Sequence, residues 1–407
     1  MNAVDAVWIL VSAALVLFMV PGLALFYGGM SRSKNMLNML MMNMVCLGLV
    51  PVVWVVAGYS LSSASSSSKW IGNLDHAFLS DVALSDAESG TSPLLLVFFA
   101  LTFASITPAL ISGAVADRMK FSAWVVFVPV WLLLVFVPTW AWVFRGDNGF
   151  LSERGSLDFA GGTVVHVAAG AASLAMVLVL GRRRGWPSEP MPPHNLPFTM
   201  IGAGILWFGW FGFNAGSALG VNEVAVQAFV NTFMAAAVAM LAWLAVERIA
   251  DGHATSLGAA SGIVAGLVGI TPGAGFMGTW GAMGVGLGAG ALCALAVRLK
   301  FRFGYDDALD VVGVHLVGGL VGGILIGFFA DSAVLGDPNP EADGVFAGGG
   351  AGLLGEQIFA NLFVLVFAFA ATFVIAKALD ATLGLRVDAE TEQIGLDRSE
   401  HAEAAYS

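Results

Sequence analysis

This sequence predicts an all-α polytopic membrane protein, on three observations. Of its 407 residues, 58% are A, V, I, L, M, F, W, Y or C. Only 11% are Lys, Arg, Asp or Glu, against about 25% in a soluble domain, so the chain lacks the polar atoms to cover its own surface. Apolar blocks of roughly 18 to 25 residues recur from end to end, each long enough to cross a bilayer core of about 30 Å. Soluble enzymes, nucleic-acid binders and disordered chains are excluded together. The 51 glycines, well above the average of about 7%, predict closely packed helices. Cys46 and Cys293 fall inside apolar blocks far apart in sequence and read as buried small hydrophobes, with neither a disulfide framework nor a zinc site in view.

Eleven transmembrane helices are expected, over about 4–29, 36–60, 93–116, 121–143, 158–180, 198–216, 224–247, 255–271, 277–297, 308–330 and 353–379. Alternate connectors, together with everything after residue 376, hold 14 of the 17 Lys and Arg; the other connectors keep only Lys69, Arg145 and Arg154. The positive-inside rule puts the basic side in the cytoplasm, with the N-terminus outside and the C-terminus inside, as an odd number of spans requires. Asp5 precedes the first span, while Arg32 and Lys34 follow it. That is the reverse of a cleavable leader, so the span is expected to remain. The segment Ser60–Ser92, with Asp75, Asp81, Asp86 and Glu88, and the segment Asp331–Gly352, with Pro338 and Pro340, read as solvated outer loops. Residues 1–380 form the membrane domain, and 381–407 a cytoplasmic tail too short for a catalytic domain.

Features recur at an offset of five spans. Ile106-Thr107-Pro108 in the third is echoed by Ile270-Thr271-Pro272 in the eighth, and Asp158 before His166 in the fifth by Asp310 before His315 in the tenth. A five-helix repeat must insert its second copy upside down, so the expectation is an inverted five-helix repeat plus a final helix. At 1.5 Å per residue, His166 lies about 12 Å from the outer start of its span and His315 about 10 Å from the inner start of its own. Both fall near the midplane, where inverted repeats place their substrate site.

An intramembrane histidine is a functional candidate because desolvating it is costly, and an interhelical hydrogen bond is the plainer reading. His76, His194, His253 and His401 sit in loops or the tail and are assigned nothing. Asp158 reads either as a helix N-cap or as a buried carboxylate that stabilises a cation site near the outer mouth. Asp310 carries the same pair of readings on the inner side. Trp210, Phe213 and Ser217 share one helical face, where rings and a hydroxyl oxygen suit a cation; an aromatic belt at the lipid interface is the competing reading. Gly212, Gly216 and Gly220 favour packing against protein at that end. No nucleophile–base pair and no metal motif points to an enzyme.

Five stretches together resemble the ammonium transporter (Amt/Mep/Rh) family: Phe26-Tyr27-Gly28-Gly29 with Ser33-Lys34-Asn35, Ile106-Thr107-Pro108, Asp158 through Gly170, Trp210 through Ser217, and Asp306 through His315. Residues from Leu385 to His401 are similar to the family's cytoplasmic tail. The resemblance implies transport of ammonium or ammonia, with methylammonium as an analogue, by a homotrimer in the cytoplasmic membrane whose protomers each hold a pore. It implies Phe103 and Phe213 as stacked gate rings, His166 and His315 as twin pore histidines, and Asp158 as the carboxylate under the outer site. Ser217 matches the external hydroxyl and Trp210 a pore-lining indole. It further implies a PII-type nitrogen regulatory protein docking at the cytoplasmic face, and no cofactor. One departure stands out: where the family usually closes its outer cage with tryptophan, this chain has Phe144, and a phenyl face holds a cation less well.

Overall fold

A computed structural model describes residues 2–85, 92–335 and 339–406; Asp86, Glu88 and Pro338, read above as loop residues, lie outside the described residues. Among the described residues, ten helices are long and apolar enough to cross a membrane: α1 (Ala3–Met30), α2 (Ser33–Ser63), α3 (Pro93–Val115), α4 (Phe121–Phe144), α5 (Gly162–Leu180), α6 (Leu196–Ala218), α7 (Glu223–Asp251), α9 (Thr279–Phe303), α10 (Val312–Phe329) and α11 (Gly352–Thr382). Between them α8 (Ser256–Ile270) has 15 residues, or about 22 Å, and falls short of a bilayer core. Among the described residues the one β feature is an isolated antiparallel bridge between Met119 and Arg386.

Polar caps mark where several of these helices begin. Ser92 accepts from the Leu95 N–H, Asn195 from Phe198, Asn222 from Ala225 and Thr255 from Gly258, each filling one orphan donor of a first turn. The expected eighth span stops early for a comparable local reason. Pro272 has no N–H to extend α8, and the chain runs on in turns to Met277. Backbone freed there is satisfied by protein: Phe159 N–H donates to Pro272 O (2.9 Å), and Asn231 Nδ2 donates to Ala274 O (2.9 Å) and Met277 O (2.7 Å). Non-helical chain is tolerated at depth only on such terms.

Glycine lets several helix pairs touch backbone to backbone, and two of these pairs position the site. Along α6, a Cβ on Gly202 would lie 2.4 Å from the Phe26 nitrogen of α1. Nearer the other end, Gly212 and Gly216 meet Ser12, and Gly220 meets Asp5, so this end does pack on protein. The second pair, α5 and α10, crosses reciprocally. Gly170, four residues past His166, meets the Leu316 nitrogen at 2.4 Å; Gly319, four residues past His315, meets the Val167 nitrogen at 3.1 Å. Each glycine thus faces the residue that follows the other helix's histidine.

Residues after Thr382 return beneath one end of the bundle as two short helices, α12 (Ala389–Ile394) and α13 (Leu396–His401). The tail binds three basic connectors: Lys120 N–H donates to Leu385 O (2.9 Å), Leu396 N–H to Asn35 Oδ1 (2.8 Å) and Arg184 N–H to Glu392 Oε1 (2.7 Å). Above them lies a buried ionic cluster. Asp117 pairs with Arg32 (2.9 Å) and Arg183 (3.2 Å), and Arg183 also pairs with Asp306 (2.9 Å). Burial by itself would raise Asp117, but Arg32 and Arg183 hold its carboxyl below the usual range, and for Asp306 the hydrogen bonds from Arg183 and the nearby Arg118 charge do the same.

Candidate functional site

The fifth and tenth helices start later than their apolar stretches, and carboxylates explain both starts. Asp158 lies ahead of α5, its Oδ1 accepting from Gly161 and Gly162 N–H (2.8 Å each) and its Oδ2 from Thr163 (2.8 Å) and Val164 (3.3 Å). Four bonds fill the four acceptor positions of a carboxylate. At the start of α10 the equivalent residue is Asp307 rather than Asp310. Asp307 accepts from Val311 (3.1 Å) and Val312 (2.7 Å) and, like Asp158, precedes its histidine by eight residues. Asp310 instead receives the Lys300 ammonium at 2.6 Å, an anchoring contact. The first turns that follow, Gly162–Val167 and Val312–Leu316, are wound in the wider π geometry, and each carries its histidine there.

Above the histidines an open vestibule of about 310 Å³ is lined by Tyr59, Phe99, Phe103, Trp140, Phe144, Phe159 and Ser217, among others. Its lining is aromatic, aliphatic or hydroxylic, with no acidic side chain among the described residues. Ser217 Oγ donates to Phe213 O (2.8 Å), which leaves its oxygen lone pairs free to accept from a guest cation. The Phe103 and Phe213 rings, both buried, form the floor, with centroids 4.2 Å apart at 38°.

Below that pair lies an apolar chamber with only about 10 Å³ open to the centre of a water-sized molecule, room for roughly one. His166, His315, Trp210 and Phe213 share its wall with aliphatic side chains such as Leu110 and Val264. His166 Nδ1 and His315 Nδ1 are 3.3 Å apart, so one nitrogen carries the shared hydrogen and the other accepts it. His166 stacks against Trp210 (5.4 Å) and Phe213 (6.1 Å), and its Nε2 has no hydrogen-bond partner among the described residues. Trp210 Nε1 donates to Thr271 Oγ1 (2.8 Å), which gives the second Thr-Pro echo a structural task.

Seven of the eight residues singled out in the sequence line this path: Phe103, Phe144 and Ser217 above, Phe103 and Phe213 between, and Trp210, His166 and His315 below. Asp158 does not line it; its carboxylate is engaged by the start of α5, and the following Phe159 and Ala160 reach the vestibule wall. Trp140 was missed, although it lies one helical turn before Phe144. Its ring is 4.7 Å from Phe144 and 6.1 Å from Phe103, on the same wall.

A sequence profile of the Ammonium Transporter Family matches residues 7–406. The chain belongs to that family. An ammonium transporter of Mycobacterium tuberculosis is 50% identical over 429 residues, covering 99% of this chain and 90% of the relative. Another, of Bacillus subtilis, is 45% identical over 99% of this chain and 98% of its own. Among solved structures, Candida albicans Mep2 superposes with a TM-score of 0.90 at 33% identity, covering 96% of this chain and 87% of that one. A structure described as a sensor Amt protein superposes with a TM-score of 0.89 at 28% identity, with 98% of each chain covered. In this member of the ammonium transporter family, the indole of Trp140 stands beside Phe144, so the vestibule wall keeps a tryptophan face one turn away from where the resemblance places it.

Proposed function

We propose that the protein transports ammonium across the cytoplasmic membrane by admitting the cation to the vestibule and conducting ammonia through the histidine chamber. One observation carries the reading: Ser217, Phe213 and Trp210, on one face of α6, connect a cation-suited vestibule, a two-ring floor and a dry chamber in a single line. A bare cation entering that chamber faces a desolvation cost on the order of tens of kcal/mol, whereas ammonia avoids most of it. The proton is shed at the vestibule or at His166, because the acceptor positions of Asp158 are filled. His166 and His315 hydrogen-bond the neutral molecule and relay the proton.

The topology proposed is eleven spans with the N-terminus outside and the tail inside. Two contacts support it: Asp5 accepts from Val221 N–H at one end of the bundle, and the tail binds the basic connectors at the other. A homotrimer, a PII-type partner at the tail and the division at residue 380 are proposals resting on the family. The deciding experiment records transient current from proteoliposomes on an ammonium jump. A saturating current that scales with protein is expected, and replacing both histidines with leucine abolishes it. Ammonium binding without current assigns the protein to sensing; internal alkalinisation without current assigns it to neutral ammonia conduction.

A further inference from the structure

The outer mouth holds one cation that the transport reading leaves unused. Arg145 directly follows Phe144, where α4 ends. Its Nη2 reaches across to the segment leaving α2, donating to Ser68 O (3.2 Å) and Ser66 Oγ (3.4 Å). Phe144 and Ser63 both line the vestibule, one from each of these two segments, so the guanidinium, without lining the vestibule itself, ties together the two chain segments that run on from its walls. The other two cations on this side are neutralised: Lys69 pairs with Glu153, and Arg154 with Glu356. Arg145 makes no ion pair among the described residues, and its Nη1 is buried there without a partner. Asp147, the nearest acidic residue in sequence, is exposed and also unpaired among the described residues. Burial pushes the Arg145 pKa down, yet a guanidinium stays protonated at any working pH.

We infer that Arg145 sets the affinity of the vestibule for ammonium: its uncompensated charge at the rim repels the incoming cation and holds the half-saturating concentration high. The inference rests on the vestibule being the entry for ammonium. Attraction by aromatic faces and the Ser217 oxygen is short-ranged, whereas repulsion between two unit charges extends over a Debye length of about 8 Å at physiological ionic strength and is screened by salt. Affinity should therefore improve as salt is added, the opposite of what an attractive mouth gives.

The test is ammonium-jump current on full-length protein in liposomes, titrated at low and high concentrations of a bulky impermeant salt. In the wild type the half-saturating concentration should fall as salt rises. Arg145→Gln should lower it about two- to tenfold at low salt and flatten its salt dependence. Arg145→Lys keeps the charge but loses the planar fork, and should stay within about twofold of the wild type. A wild-type half-saturation that rises or stays constant with salt overturns the inference without needing any variant to fold. So do Gln and Lys variants that shift alike, which would make the residue a loop brace. A wild type with no ammonium response at all removes the transport reading and this inference together; a responsive wild type with a silent Arg145→Gln shift removes only the inference.

Discussion

Replacing Gly170 with alanine tests whether the meeting of the histidines depends on the crossing of α5 and α10. The added Cβ would lie 2.4 Å from the Leu316 nitrogen and 2.5 Å from its Cα, against backbone that cannot rotate away. Ordinary contact begins near 3.4 Å, so the helices must part by about 1 Å. The His166–His315 hydrogen bond, already 3.3 Å, would then open past the distance at which such a bond persists. Overpacking of this kind costs about 1–3 kcal/mol, which is roughly a 5- to 150-fold loss in the folding equilibrium. The reciprocal Gly319→Ala meets its neighbours at 3.0–3.1 Å and should be milder, since a few tenths of an ångström suffice. Ammonium-jump current and thermal unfolding in detergent, measured on both variants, check the reasoning. Gly170→Ala should lose most current and melt several degrees lower, with Gly319→Ala between it and the wild type. If Gly170→Ala conducts and melts as the wild type does, close helix contact is not what holds the pair.

Three further outcomes are expected. Asp158→Ala leaves four N–H groups at the start of α5 without their acceptor and should destabilise the protein by several kcal/mol, read as a fall in unfolding temperature; loss of ammonium binding with unchanged melting would instead show a direct cation role. Trp140→Leu should raise the half-saturating ammonium concentration at least as much as Phe144→Leu, because an indole face holds a cation more strongly than a phenyl; a null effect at Trp140 would remove it from the cage. The Asp117 and Asp306 carboxyls, held below the usual range, contribute stability that is fully present above the unfolded pKa of about 3.9 and is lost as pH falls through their lower folded values. Proteolysis of the tail should accordingly stay slow at pH 5 and accelerate only below about pH 4; acceleration near pH 6 would place the linkage elsewhere.

Much of the bundle was legible because hydropathy over some twenty residues is a bilayer's own criterion. The length of α8 was not, since its end is set by one residue, Pro272, whose missing N–H leaves no trace in mean hydropathy. That the two histidines could meet was readable from the expected inverted insertion and depth arithmetic, and their pairing as pore histidines from the family resemblance. Their carboxylate partners were harder. Asp306-Asp307-Ala308-Leu309-Asp310 offers three candidates, and only the eight-residue spacing shared with Asp158 and His166 selects Asp307 over Asp310. Trp140 stayed hidden among the aromatics of its own run, although its spacing of four from Phe144 was a readable signal for a shared face.

The shared hydrogen between the two imidazoles also has a kinetic consequence. In the proposed relay, a proton received at one Nε2 would push that hydrogen across the 3.3 Å gap and release another proton from the far ring. Afterwards the donor and acceptor nitrogens have exchanged places, and the entry nitrogen is already occupied. A second proton cannot follow in the same direction until both rings return to their starting tautomers. Under the proposed relay the pair would therefore work as a single-shot element that must be rearmed, and the rearming step, sensitive to heavy water, would set a ceiling on proton flux that ammonia itself does not share.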